Sequence, residues 1–216
     1  MHNPKRRTLI PILYRLSQYE LADVDNLVVW FKSSAEAERK RVDGLPTDNG
    51  PDDQYSDAYG EIESVSHLNS ELAVIALWRC VELSRRRVIG NTLGTEAAKD
   101  SAYNSKIASA LRRIDIRETT IQRAEDVDEL RCLNNAIKHD GYVSSQLAKF
   151  PHWKNEKGEE LSNLDSVIPR LREAADAYIE DLMHKADEWL NKVGTNPGDA
   201  SYLPPASSTT SKNADV

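Results

Sequence analysis

The sequence predicts an all-α fold, an up-and-down bundle of about five helices. Three observations predict it. Apolar residues recur at steps of three and four over long stretches. Breaker-rich segments separate those stretches. No run alternates as a half-buried strand would. The bundle is expected over residues 1–194, and the weakly apolar, Pro/Ser/Thr-rich stretch 195–216 is expected to be a disordered tail.

The first helix is predicted from about Ser17 to Arg41, where Leu21, Val24, Leu27, Val28 and Phe31 mark one face. The breaker-rich loop Asp43 to Asp53 ends it. The second is predicted from about Asp57 to Val88. Its stripe is Ile62, Val65, Leu68, Leu72, Ile75 and Trp78, and around Leu72 to Leu77 it is apolar on nearly every side. Arg85, Arg86 and Arg87 suit a helix C-terminus, with Gly90-Asn91 as the stop. A shorter helix is predicted over Ala102 to Ile114, followed by a connector at Arg117 to Thr120. The fourth helix runs from near Ala124 to His139, with Gly141 as its stop, and a turn-rich insert containing Phe150 to Trp153 and Asn155 to Gly158 follows. The last helix spans about Leu164 to Val193 at near-heptad spacing, its regular part starting after Pro169.

Composition narrows the function classes. Hydrophobic residues make up 39% and charged residues 29% of the 216, as in a globular protein with a wet surface. A net charge of −7 argues against coating nucleic acid by bulk positive charge, though a local RNA site can sit on an acidic body. Two cysteines, Cys80 and Cys132, make no disulfide framework and no zinc spacing. A reduced, cytoplasmic setting is expected. The basic start, Met1 to Arg7, leads into a short segment broken by Pro11, which is not a secretory signal. The most apolar run, Leu72 to Trp78, is far short of the roughly 20 residues that span a bilayer.

One segment carries concentrated chemistry: Arg131-Cys-Leu-Asn-Asn-Ala-Ile-Lys-His139. At about 100° per residue, Leu130, Leu133 and Ile137 cluster on one side. Lys138, Arg131, Asn135 and His139 follow one another over an arc of about 100° on the other, with Val127 and Asn134 at the edge. Arg grips phosphate by a planar fork and Lys as a point charge, His exchanges a proton near neutral pH, and Asn orients a hydroxyl or an imidazole. Such a set suits metal-independent RNA cleavage, in which the ribose 2′-OH attacks and the cations stabilise the phosphorane. The same face also reads as an ordinary solvated helix surface, with Lys138 and His139 matching the helix dipole and Asn134 and Asn135 as capping residues.

The stretch Glu129 to Gly141, late in a helical bundle and followed by another long helix, resembles the HEPN superfamily. That resemblance implies an all-helical, commonly dimeric protein related to metal-independent ribonucleases of toxin–antitoxin and phage-defence systems. It implies Arg131 and His139 as the catalytic pair, with Asn135, Lys138 and Asn134 supporting. It further implies RNA as substrate and an antitoxin or defence-system protein as partner. Seven residues separate Arg131 from His139, one more than the family's usual upper limit. Some HEPN-like proteins serve instead as non-catalytic interaction helices.

Elsewhere, Glu61, Glu63 and Glu71 have no Glu-x-x-His partner for a di-metal centre. His67 reads as a polar-face or satisfied core residue, and Trp30, Trp78 and Trp189 as core or rim anchors. Trp153, with His152 and Lys154, is placed to cover the Arg131–His139 helix. Dinucleotide, P-loop and Ser/His/Asp patterns are absent, so no cofactor is expected.

Overall fold

The computed structural model describes residues 9–44, 53–101 and 104–195. Over these the chain is all-α, with six helices and no strand. They are α1 (Leu9–Asp43), α2 (Asp53–Leu93), α3 (Thr95–Asp100), α4 (Asn104–Arg112), α5 (Ala124–His139) and α6 (Leu164–Thr195). The expected tail lies outside the described residues except for Thr195, the last residue of α6.

α1 and α2 form a long antiparallel hairpin. Its register is fixed by the buried Ser17 and Ser84 hydroxyls, 2.8 Å apart, by Arg87 donating to Glu20 at 2.7 Å, and by Tyr59 bonding Asp43. α6 lies against both: Gln18 Nε2 donates to Asp176 at 2.6 Å, Arg172 to Asp25 at 3.0 Å, and Ser70 bonds Asp165. It packs on α1, α2 and α5. Leu171, Ala175, Tyr178, Ile179, Leu182 and Ala186 on it are fully buried. α5 packs on α2 and α6, presenting Leu130 and Leu133 to the core.

Several boundaries differ from expectation, each for a local reason. α1 starts at Leu9, because Pro11 falls in its first turn, where the missing N–H has no helical partner to lose. α2 runs on to Leu93, so the arginine triplet is not a helix end. Arg85 is buried against Tyr178 and Arg87 is paired across the hairpin. Gly90 is not the stop either. It lies within the helix, where α3 packs beside it: a Cβ there would meet the Ala98 methyl at 3.4 Å, an ordinary van der Waals contact. The stop is Gly94, at φ 104°. The single helix expected over Ala102 to Ile114 is α4, which ends at Arg112. α3 precedes it without having been anticipated.

Residues 140–163 form the turn-rich insert. Val143 N–H donates to the Glu159 carbonyl at 2.9 Å, Gly158 N–H to that of Val143 at 3.0 Å, and Leu161 N–H to that of Gly141 at 2.8 Å. The insert is pinned by Trp153, which is fully buried and donates from its indole to Glu129 Oε1 at 2.9 Å. No described helix is long and apolar enough to cross a membrane.

Candidate functional site

α5 is built to hold a fixed orientation. Glu125 and Asp126 occupy its first turn and Lys138 and His139 its last, each sign opposing the nearby end of the helix dipole. Gly141, at φ 74°, folds the chain back so that its N–H bonds the Ala136 carbonyl at 3.0 Å. The helix buries Val127, Glu129, Leu130, Cys132, Leu133, Asn134 and Ala136. What remains for solvent in its second half is a narrow arc.

That arc carries the predicted residues. Asn135, Lys138 and His139 are exposed, and Arg131 is half-buried among them. Asn134 is not part of it. Its side chain is 2% exposed, its Nδ2 donates to Asn135 Oδ1 at 3.4 Å, and its Oδ1 has no partner. Arg131 and His139 are eight residues apart, about 12 Å along the helix axis, with Asn135 midway. Each chain thus offers two cations and an imidazole in a row along one face rather than a closed triad.

Arg131 is already engaged. Its Nε donates to Asp128 Oδ1 at 2.8 Å, and its Nη2 lies 3.3 Å from the Cys132 sulfur. Burial opposes its charged form, but the hydrogen bond and charge of Asp128, with Cys132 and Glu118 behind them, leave its guanidinium above the ordinary range. Asp128 is the residue sequence reasoning missed. Its i, i+3 spacing ahead of Arg131 was the available signal.

Trp153 does not cover the arc. Glu129, which receives its indole N–H, lies on the opposite side of α5 from Arg131, and Arg170 Nη2 reaches the same carboxylate at 2.7 Å. His152 and Lys154 beside it are exposed. The insert therefore anchors α5 from behind and leaves the arc open.

The remaining chemistry is dispersed. Among the described residues no three His, Cys, Asp or Glu side chains gather as a metal site requires. His67 pairs with Glu71 at 3.5 Å on the α2 surface. Both cysteines are free and buried, and burial pushes the Cys80 thiol up to about 11. A groove of about 280 Å³ lies between α1, α2 and the start of α6, lined by Lys32, Glu36, Arg39, Asn69 and Asp165, away from α5. Comparisons of the chain with family models, with curated proteins and with solved structures find no match.

Proposed function

We propose that this chain is a HEPN-like protein that binds RNA along the exposed arc of α5 and cleaves it without a metal. The observation that supports this reading is the clustering of Arg131, Asn135, Lys138 and His139 on the solvent face of a helix whose opposite face is buried. Arg131 and Lys138 hold the phosphate, Asn135 orients the ribose, and His139 accepts the 2′-OH proton. The 2′-oxygen attacks phosphorus, the bond to the 5′-oxygen breaks, and the products are a 2′,3′-cyclic phosphate and a 5′-hydroxyl that takes up a proton. DNA, lacking the nucleophile, resists this route. The setting that fits is a toxin–antitoxin or phage-defence system, with an antitoxin or defence-system protein as partner. Purified protein is incubated with total RNA in EDTA beside His139→Ala. Cleavage by the parent alone is expected; equal cleavage by both, or none by either, removes the enzymatic reading.

A second reading is a non-catalytic interaction protein. It is favoured by Asp128 occupying Arg131 and by the large apolar residues that α1 and α2 expose. Its docking surface is not α6, which is buried along most of its apolar length. On this reading His139→Ala leaves folding and partner binding unchanged.

A further inference from the structure

Charge is spread unevenly along this acidic chain. Residues 1–19 hold Lys5, Arg6, Arg7 and Arg15 but none of the 35 acids, the first of which is Glu20. The chain as a whole carries −7. A basic segment on an acidic body marks a place that meets a polyanion or an anionic surface.

The structure gives the same stretch a second property. α1 opens at Leu9, directly after the three cations in the sequence. Over its first three turns Leu9, Ile12, Leu16 and Tyr19 are 40, 51, 44 and 70% exposed. At about 100° per residue these four fall within an arc of about 80°, with the exposed Arg15 at one edge. The buried residues of these turns, Ile10, Ser17 and Leu21, lie on the other side of the helix. The patch is about 15 Å long. Asp23, exposed on the same line one turn further on, closes it. Glu20, the nearest acid, is occupied by Arg87, which donates to it at 2.7 Å.

We propose that this end of α1 rests on an anionic lipid bilayer. Leu9, Ile12, Leu16 and Tyr19 enter the boundary between headgroups and acyl chains, and the charge of Lys5, Arg6, Arg7 and Arg15 holds them there. A short apolar patch or a few cations alone bind a membrane weakly, whereas the two signals side by side suffice. The aliphatic side chains decide between a bilayer and RNA. Leu9, Ile12 and Leu16 offer a base no stacking platform and a phosphate no donor, whereas the acyl boundary takes them up. Tyr19 suits the rim of such a contact, with an apolar ring and a polar tip. Asp23 and Asp25 are repelled by the same surface, which limits contact to the first turns of α1. The chain then lies on the bilayer, which requires no helix to cross it. The inference is independent of the reading of α5.

Co-sedimentation of the full chain with vesicles tests it. Phosphatidylcholine vesicles containing about 30% phosphatidylserine are expected to carry the chain down, and phosphatidylcholine alone to bind at least about tenfold more weakly. Binding should fall as salt is raised. Leu16→Glu and Ile12→Glu, both at exposed positions, are each expected to abolish binding with unchanged helical circular dichroism. The triple change Lys5→Gln, Arg6→Gln and Arg7→Gln is expected to weaken it by about a hundredfold, roughly fivefold for each cation. A parent chain that ignores anionic vesicles, or binds neutral ones equally well, overturns the proposal. Full binding by both Glu variants overturns it too. So does an RNA affinity that the triple change abolishes in a chain that binds neither kind of vesicle.

Discussion

Arg131 Nε donates to Asp128 Oδ1 at 2.8 Å, one turn earlier on α5, so the cation central to the candidate site faces a carboxylate rather than open solvent. Any RNA phosphate reaching Arg131 competes with that carboxylate and is repelled by it. Asp128→Asn removes the competitor's charge while keeping an acceptor. Exposed pairs of this kind contribute about 0.2–1 kcal/mol, so RNA affinity at low salt is expected to rise roughly two- to fivefold. Filter binding of parent and variant, repeated at two salt concentrations, measures it. Unchanged affinity means that RNA does not engage Arg131.

Arg85 makes a sharper prediction about stability. Its guanidinium is 6% exposed, donates from Nε to the Tyr178 hydroxyl at 2.9 Å, and lies over the rings of Trp78 and Tyr178 at 5.2 and 5.0 Å. Glu118 Oε1 approaches it at 3.3 Å. A buried cation of this kind depends on each polar neighbour. Tyr178→Phe keeps the ring and deletes one acceptor, which is expected to cost about 1.5–3 kcal/mol. Urea unfolding gives the value, and a loss below about 0.5 kcal/mol would show that the hydroxyl is not what satisfies Arg85.

The alkaline limb of stability follows chiefly from two buried acids. Burial raises the Cys80 thiol to about 11 and the Tyr178 hydroxyl to about 12, from ordinary values of 9.0 and 10.0. Between the ordinary and the raised value, the unfolded chain releases a proton that the folded chain keeps. Stability is therefore unaffected below pH 9 and falls as pH rises from 9 to 11 for Cys80, and from 10 to 12 for Tyr178. Each group contributes a slope of about 1.4 kcal/mol per pH unit within its window. Cys80→Ala should reduce the fall between pH 9 and 10, a window Cys80 shares only with Cys132, whose thiol burial also pushes up. Chemical denaturation at pH 8, 9 and 10 checks this, and parallel curves for parent and variant would refute it.

The sequence made the arc on α5 legible because a helix buried on one side leaves its polar residues in a countable order, and Ala124 to His139 is bounded by signals that act locally. It did not disclose Asp128 as Arg131's partner, since an i, i+3 carboxylate is so common on helix surfaces that it draws no notice. Arg85 was misplaced for the opposite reason. A run of three arginines before Gly90 imitates a helix terminus, and only Tyr178, far along the chain, reveals that one of them is buried. Likewise Val65, Leu68 and Leu72 read as core by periodicity, although the register with α1 turns them outward. Periodicity finds an apolar face; it does not say whether the cover comes from the same chain.

Glu129 is the last test, because it holds both the insert and α6 against the back of the site helix. It is 3% exposed, accepts the Trp153 indole N–H at 2.9 Å, and pairs with Arg170 at 2.7 Å. Arg170 is 37% exposed and keeps Asp126 at 2.6 Å, so losing Glu129 leaves it solvated and still partnered. Trp153 has no such recourse, being fully buried. Glu129→Leu is therefore expected to cost about 1–3 kcal/mol, mainly through the stranded indole donor. It should also open residues 140–163 to limited proteolysis. Glu129→Gln retains an acceptor oxygen and is expected to recover most of the loss and the protease resistance. A Gln variant as weak as the Leu variant would show that the pairing with Arg170, not the hydrogen bond to Trp153, secures the insert.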